Sequence, residues 1–173
     1  ANNGHEVTLW THDPHEIEML STKREQQEKL PGVKLPDNIA IEADLETALT
    51  DEDVVVMAVP SPVVRTVAKQ MFPFVKDGQI IVNVAKGIED VTYKTLSDII
   101  EEEIPNAEVC VLSGPSHAEE VGIGIPTTVV IGAKNKKTAE MLQDVFMNKV
   151  FRVYTSSDII GIELGGALKN VIA

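Results

Sequence analysis

The sequence predicts an α/β fold, a mainly parallel sheet wound on both faces by helices. Three observations carry this. Residues 53–59, 80–84 and 108–112 are near-continuous apolar runs rich in Val and Ile, as strands buried on both faces read. Helical patterns of roughly 10–15 residues alternate with the strands, the order of a doubly wound sheet. Gly, Pro, Asn and Asp punctuate the joints.

Residues 6–10 alternate and are β-rich, so a strand is expected. Asp13-Pro14 opens a helix, Asp as the cap and Pro in the first turn. That helix is expected to reach about Leu30, where Pro31, Gly32 and Pro36 break it. A short strand covers 39–41, and Asp44 caps a short helix to about 49. The apolar strand 53–59 follows, then Pro60-Ser61-Pro62 and a helix to about 71. Strand 80–84 ends in Ala85-Lys86-Gly87-Ile88-Glu89. Residues 92–103 read as helix, stopped by Pro105. Strand 108–112 ends in Ser113-Gly114-Pro115-Ser116, with a short helix over 117–121. Residues 127–131 read as strand, 135–147 as helix and 150–154 as strand. Ser156-Ser157-Asp158 caps a last helix. Residues 1–5 read as the tail of an element before residue 1, and 167–173 stop inside a helical pattern, so the chain reads as an excerpt.

Composition narrows the function. Of 173 residues, 15 are Lys or Arg and 27 Asp or Glu, a formal net charge of −12. An acidic chain is a poor nucleic-acid binder, since binding needs cations that displace counterions, and a poor ligand for anionic membrane surfaces. The longest apolar run falls far short of the roughly 20 residues that span a bilayer. A single cysteine, Cys110, excludes an internal disulfide framework and a multi-thiolate zinc site. It sits in an apolar run and reads as a buried strand thiol, compatible with a reducing cytoplasmic setting. The four histidines lack metal-ligand spacing, and no metal is expected.

Ligands of open α/β sheets bind beyond the carboxyl ends of the strands. Three successive buried strands end in unusual sequences here, and parallel strands bring those ends to one edge. Lys86 follows a buried strand and precedes Gly87, so it is either a solvated lysine or an anion-binding one. Ser116 stands at a helix start, as an N-cap or beside a bound anion. Gly165 and Gly166 lie inside a helix, where each costs roughly 1 kcal/mol against alanine. They permit close approach of a backbone or a ligand, with Lys169 one turn on. His12 follows the first strand, where a nucleotide ribose or 2′-phosphate is often read. No G-x-G-x-x-G turn occurs in the chain.

Four segments, in order, resemble the bacterial-type glycerol-3-phosphate dehydrogenase family: Asn3-Gly4-His5-Glu6-Val7-Thr8-Leu9-Trp10, Ala85-Lys86-Gly87-Ile88-Glu89, Ser113-Gly114-Pro115-Ser116-His117-Ala118-Glu119-Glu120, and Gly165-Gly166-Ala167-Leu168-Lys169-Asn170-Val171-Ile172-Ala173. The resemblance implies a Rossmann-like fold in which 1–156 form part of a dinucleotide-binding domain, lacking its first strand and glycine-rich loop. It makes 157–173 the first helix of a helical substrate domain. It implies NAD or NADP as cofactor and interconversion of dihydroxyacetone phosphate and sn-glycerol 3-phosphate, whose product feeds glycerophospholipid synthesis. Lys169 becomes the catalytic general acid/base and a substrate contact. Lys86, Gly114 and Ser116 become substrate contacts, and His12, Lys86 and Ala118 cofactor contacts. A homodimer is compatible with it, and the fragment alone is expected to be inactive. Without the first strand, two buried strands would keep unpaired edges, take a partner's strand, or close up differently. A sister dehydrogenase of hydroxy or sugar acids, and an idle nucleotide-binding module, are the rival readings.

Overall fold

A computed structural model describes residues 1–172, with side chains through Leu168. Strands and helices alternate as expected. The strands are β1 (Val7–Trp10), β2 (Ile39–Glu42), β3 (Val54–Met57), β4 (Ile80–Asn83), β5 (Glu108–Ser113), β6 (Thr127–Gly132) and β7 (Phe151–Ser156). The helices between and after them are α1 (Pro14–Lys23), α2 (Leu45–Leu49), α3 (Val64–Met71), α4 (Leu96–Glu103), α5 (Ala118–Gly122), α6 (Lys136–Phe146) and α7 (Ile159–Ile172).

The strands form two sheets. β1 and β2 pair in parallel, and the second sheet has the order β3-β4-β5-β6-β7. Its β3–β4, β4–β5 and β6–β7 pairings are parallel, whereas β5–β6 is antiparallel. β1 and β3 do not close up on each other among the described residues, and each keeps an unpaired edge. This corrects the expectation that β3 is buried on both faces: Val56 is 44% exposed. β1 is nevertheless joined to the larger sheet by packing, because Trp10 lies against its core.

The pleat divides that core. Ile81 and Val109 point to one face, and Val82 and Cys110 to the other. On the first face α3 contributes Val64, Val67, Ala68 and Met71, the i, i+3, i+4, i+7 spacing of a buried helical stripe. α4 adds Leu96, Ile99 and Ile100 there. α6 covers the second face with Ala139 and Leu142. Cys110 is fully buried, and burial pushes its thiol up to about 12. It is a packing residue, as its sequence context suggests.

Helix starts follow the capping residues. Asp13 Oδ1 accepts from His15 N at 3.0 Å, Asp44 Oδ1 from Thr47 N at 2.8 Å, and Asp158 Oδ1 from Gly161 N at 2.9 Å. Two helices are shorter than expected. α1 stops at Lys23, because Arg24 turns left-handed (φ 51°) and its guanidinium binds the carbonyls of Pro36 and Ile39. Glu25 meanwhile accepts from Gly32 N at 2.7 Å and pairs with Lys34. Side chains thus tie 25–38 into a loop that periodicity cannot reveal. α4 begins at Leu96 rather than residue 92, because 88–95 fold into a hairpin closed by the Ile88–Thr95 bridge. β3 likewise ends at Met57, short of residue 59.

Candidate active site

The parallel pairing of β3, β4 and β5 brings their carboxyl ends to one edge, and three glycine- or proline-bearing loops meet there. Asn83, the last residue of β4, is fully buried. Its side chain takes Ala85 N at 3.1 Å and donates to Ala85 O at 3.2 Å, which fixes the turn leading into Lys86. Gly87 follows with φ 146°, and a Cβ on it would lie 2.9 Å from Ser61 Oγ. Only glycine lets the β4 loop lie this close to the β3 loop in that conformation.

Lys86 Nζ donates to the carbonyl and the hydroxyl of Ser116, both at 3.0 Å. Ser116 N in turn donates to Gly114 O at 2.8 Å. The β4 and β5 loops are therefore joined through an ammonium, and Lys86, Gly114 and Ser116 form one cluster. α7 lies over it. A Cβ on Gly166 would sit 2.5 Å from Ser113 Oγ and 3.6 Å from Lys86 Cγ. The mid-helix glycine thus serves close packing of α7 on the strand ends, one of the two readings its sequence allowed.

The hairpin behind Lys86 is held by charge. Arg65 of α3 binds Glu89 at 2.6 and 2.8 Å and also reaches Glu102 and Glu103. The Arg65 guanidinium holds the Glu89 carboxyl down at about 2, and the carboxylates raise the arginine in return.

Ala118 is the first residue of α5, exposed and two positions past Ser116. His12 lies past the end of β1 in the smaller sheet, exposed, with its ring stacked on Trp10 at 6.0 Å. Among the described residues it makes no hydrogen bond to the Lys86 cluster. The Lys169 side chain lies outside the described residues. Three residues that the structure buries in or beside these elements were not singled out from sequence: Asn83 and Ser113 at the strand ends and Glu163 on α7. Asn83 interrupts an apolar strand, and Glu163 is the sole acid of the otherwise apolar stretch 159–168. Those breaks in pattern were the available signals. Ser113 gave none beyond its place in the loop.

Residues 1–139 match the family described as the NAD-dependent glycerol-3-phosphate dehydrogenase N-terminus. The chain belongs to this family. It is 61% identical over 173 residues to a glycerol-3-phosphate dehydrogenase [NAD(P)+] of Agathobacter rectalis, covering 100% of this chain and 52% of that protein. Identity to the enzyme of the same name from Fusobacterium nucleatum is 55%, over 99% of this chain and 52% of the relative. The fold is similar to a crystal structure of glycerol-3-phosphate dehydrogenase from Coxiella burnetii, with a TM-score of 0.92 and 27% identity, covering 99% of this chain and 52% of that one. The chain spans about half the length of the curated relatives it matches. The Rossmann-like, mostly parallel sheet read from the sequence is thereby established.

The donors at the strand ends, an ammonium and serine hydroxyls, suit the amide and ribose hydroxyls at the nicotinamide end of a dinucleotide. A G-x-G-x-x-G turn to cradle its pyrophosphate is not in this sequence. No helix among the described residues is long and apolar enough to cross a membrane.

Proposed function

We propose that this chain forms the nucleotide-binding part of an NAD(P)-dependent glycerol-3-phosphate dehydrogenase, interconverting sn-glycerol 3-phosphate and dihydroxyacetone phosphate. The observation that carries the reading is the Lys86 ammonium, bound to Ser116 at 3.0 Å and overlaid by Gly166 of α7. This brings the lysine-glycine loop, the Ser113–Ser116 loop and the glycine-rich helix of a family member into one cluster.

Lys86, Gly114 and Ser116 bind the substrate, and their donors suit its hydroxyl and carbonyl oxygens. His12, Lys86 and Ala118 hold the dinucleotide. Bound NADH or NADPH supplies a hydride to the substrate carbonyl carbon. Lys169 donates its proton to the oxygen of that carbonyl, on which negative charge develops, and takes the proton back in the reverse direction. Residues 1–156 belong to the dinucleotide-binding domain and 157–173 begin a helical substrate domain. The exposed Ile160, Leu164 and Leu168, spaced by four along α7, support that division, since such a stripe is an apolar face that further protein covers. A cytoplasmic homodimer whose product enters glycerophospholipid synthesis completes the proposal.

The test follows 340 nm absorbance in a protein of the relatives' full length carrying these residues. Dihydroxyacetone phosphate should deplete NADH or NADPH, and Lys169→Ala should lower turnover by several orders of magnitude (roughly 10²–10⁴-fold for one proton-transfer group) with the fold intact. Near-normal turnover would remove Lys169 from its role. No depletion with either dinucleotide, from folded protein, would discard the substrate.

A further inference from the structure

α7 is docked by more than apolar contact. Glu163 is a carboxylate only 6% exposed. It accepts a hydrogen bond from Ser97 N at 3.0 Å and another from Ser97 Oγ. Ser97 is the second residue of α4, whose first N–H groups have no partner within the helix. Thr95 Oγ1 takes Asp98 N of the same turn at 3.3 Å, and Glu163 takes the neighbouring one. The N-terminus of α4 is thus capped in part from another helix, 66 residues further along the chain. The charge fits its place, because the amino end of a helix stabilises an anion. Burying a carboxylate is costly unless its oxygens are satisfied, so the contact tolerates little displacement.

Glu163 and Gly166 are three residues apart, and Lys169 is three further. Each step of three falls about 60° short of a full turn and advances about 4.5 Å, so the three positions run obliquely over about a third of the helix circumference. The first of these positions is pinned to α4, and the second is pressed against Ser113 and Lys86. The pinned end of α4 is also the exit of the hairpin that begins beside Lys86, through the Ile88–Thr95 bridge. One carboxylate therefore joins the helix bearing Lys169 to the loop bearing Lys86.

We propose that Glu163 is a positioning residue: its bonds to Ser97 set the depth and register of α7 on the strand ends, and so the placement of Lys169 relative to Lys86. This rests on the dehydrogenase reading above. Glu163 touches neither substrate nor cofactor in this role. Glu163→Gln keeps the shape but removes the charge and one of the two acceptors, so Ser97 Oγ must turn from donor to acceptor to keep its bond, and Ser97→Ala removes one of the two bonds.

The experiment compares Glu163→Gln, Ser97→Ala and the double variant in the full-length protein. It measures kcat, KM for both reactants, the pH profile of kcat, and amide exchange along 159–172 without cofactor. The expected result is a tenfold or greater loss of kcat in Glu163→Gln, with KM for the dinucleotide within twofold. The pH profile should shift, exchange should accelerate in α7 while β4 and β5 stay protected, and the double variant should lose no more than Glu163→Gln alone. Unchanged kcat and pH profile in a folded Glu163→Gln, beside an active wild type, overturns the positioning role and leaves the dehydrogenase reading standing. So does a loss that tracks thermal destabilisation and vanishes on cooling. A folded wild type that oxidises neither dinucleotide overturns the dehydrogenase reading, and the positioning role with it.

Discussion

The contact between Gly166 and Ser113 is decided by single atoms. Ser113 Oγ is buried, the residue being only 6% exposed, and has no hydrogen-bond partner among the described residues. A buried hydroxyl left unpaired costs roughly 1–3 kcal/mol. A methyl at 166 meets that same oxygen at 2.5 Å, whereas Ser113 Cβ and Lys86 Cγ are each 3.6 Å away, at ordinary contact distance. Gly166→Ala alone is therefore expected to lower the melting temperature, despite the roughly 1 kcal/mol that alanine gains over glycine inside a helix. Adding Ser113→Ala should recover the loss, because it removes the crowding oxygen and its buried hydroxyl together. Thermal melts of the two single variants and the pair check this. Losses that simply add would show that the obstruction lies elsewhere. The Gly-Gly pair could be read as a close approach from sequence. Its partner could not, because Ser113 is separated from it by 53 residues of chain.

Among the elements, the region after α1 departs furthest from its sequence pattern. Glu16 accepts from Thr11 Oγ1 and Gln26 Nε2 at 2.6 Å and from Lys29 Nζ at 3.0 Å, tying the end of β1, the helix and the following loop together. The Thr11 hydroxyl first, with Lys29 and Gln26, holds its carboxyl at about 2, below the usual carboxylate range. A carboxyl depressed in the folded state adds stability that is complete above the unfolded value of roughly 4.3 and is lost as pH falls toward 2. Glu16→Gln should therefore destabilise the protein at neutral pH, with the difference from wild type shrinking between about pH 4.5 and 2. Denaturant melts across that range test it, and a difference independent of pH would rule out the charge as the cause. These bonds explain the early end of α1. Residues 24–30 include good helix formers, but their side chains have better partners across the loop than along a helix.

For the whole molecule, the sheet is the frame on which the site depends. Cys110 lies at its centre on β5, fully buried. Its thiol, raised to about 12 by burial, is almost wholly protonated near neutrality and inert as a nucleophile. Alkylation of Cys110 should therefore proceed only through unfolding, and its rate should rise with denaturant in step with loss of the fold. Modification at the rate of a free thiol in native buffer would mean that β5 opens locally. By itself the sequence determined the alternation of strands and helices, the caps at Asp13, Asp44 and Asp158, the burial of Cys110 and the glycine and lysine loops of the site. Each of these is written in neighbouring residues, through periodicity, φ preference or a side chain that reaches its own backbone. Only the tertiary structure decided the split between the two sheets, the exposed edge at Val56, the antiparallel turn of β6, and the bonds joining Lys86 to Ser116 and Glu163 to Ser97. Those depend on which distant groups a buried polar atom can reach, and local pattern carries no record of separation in space.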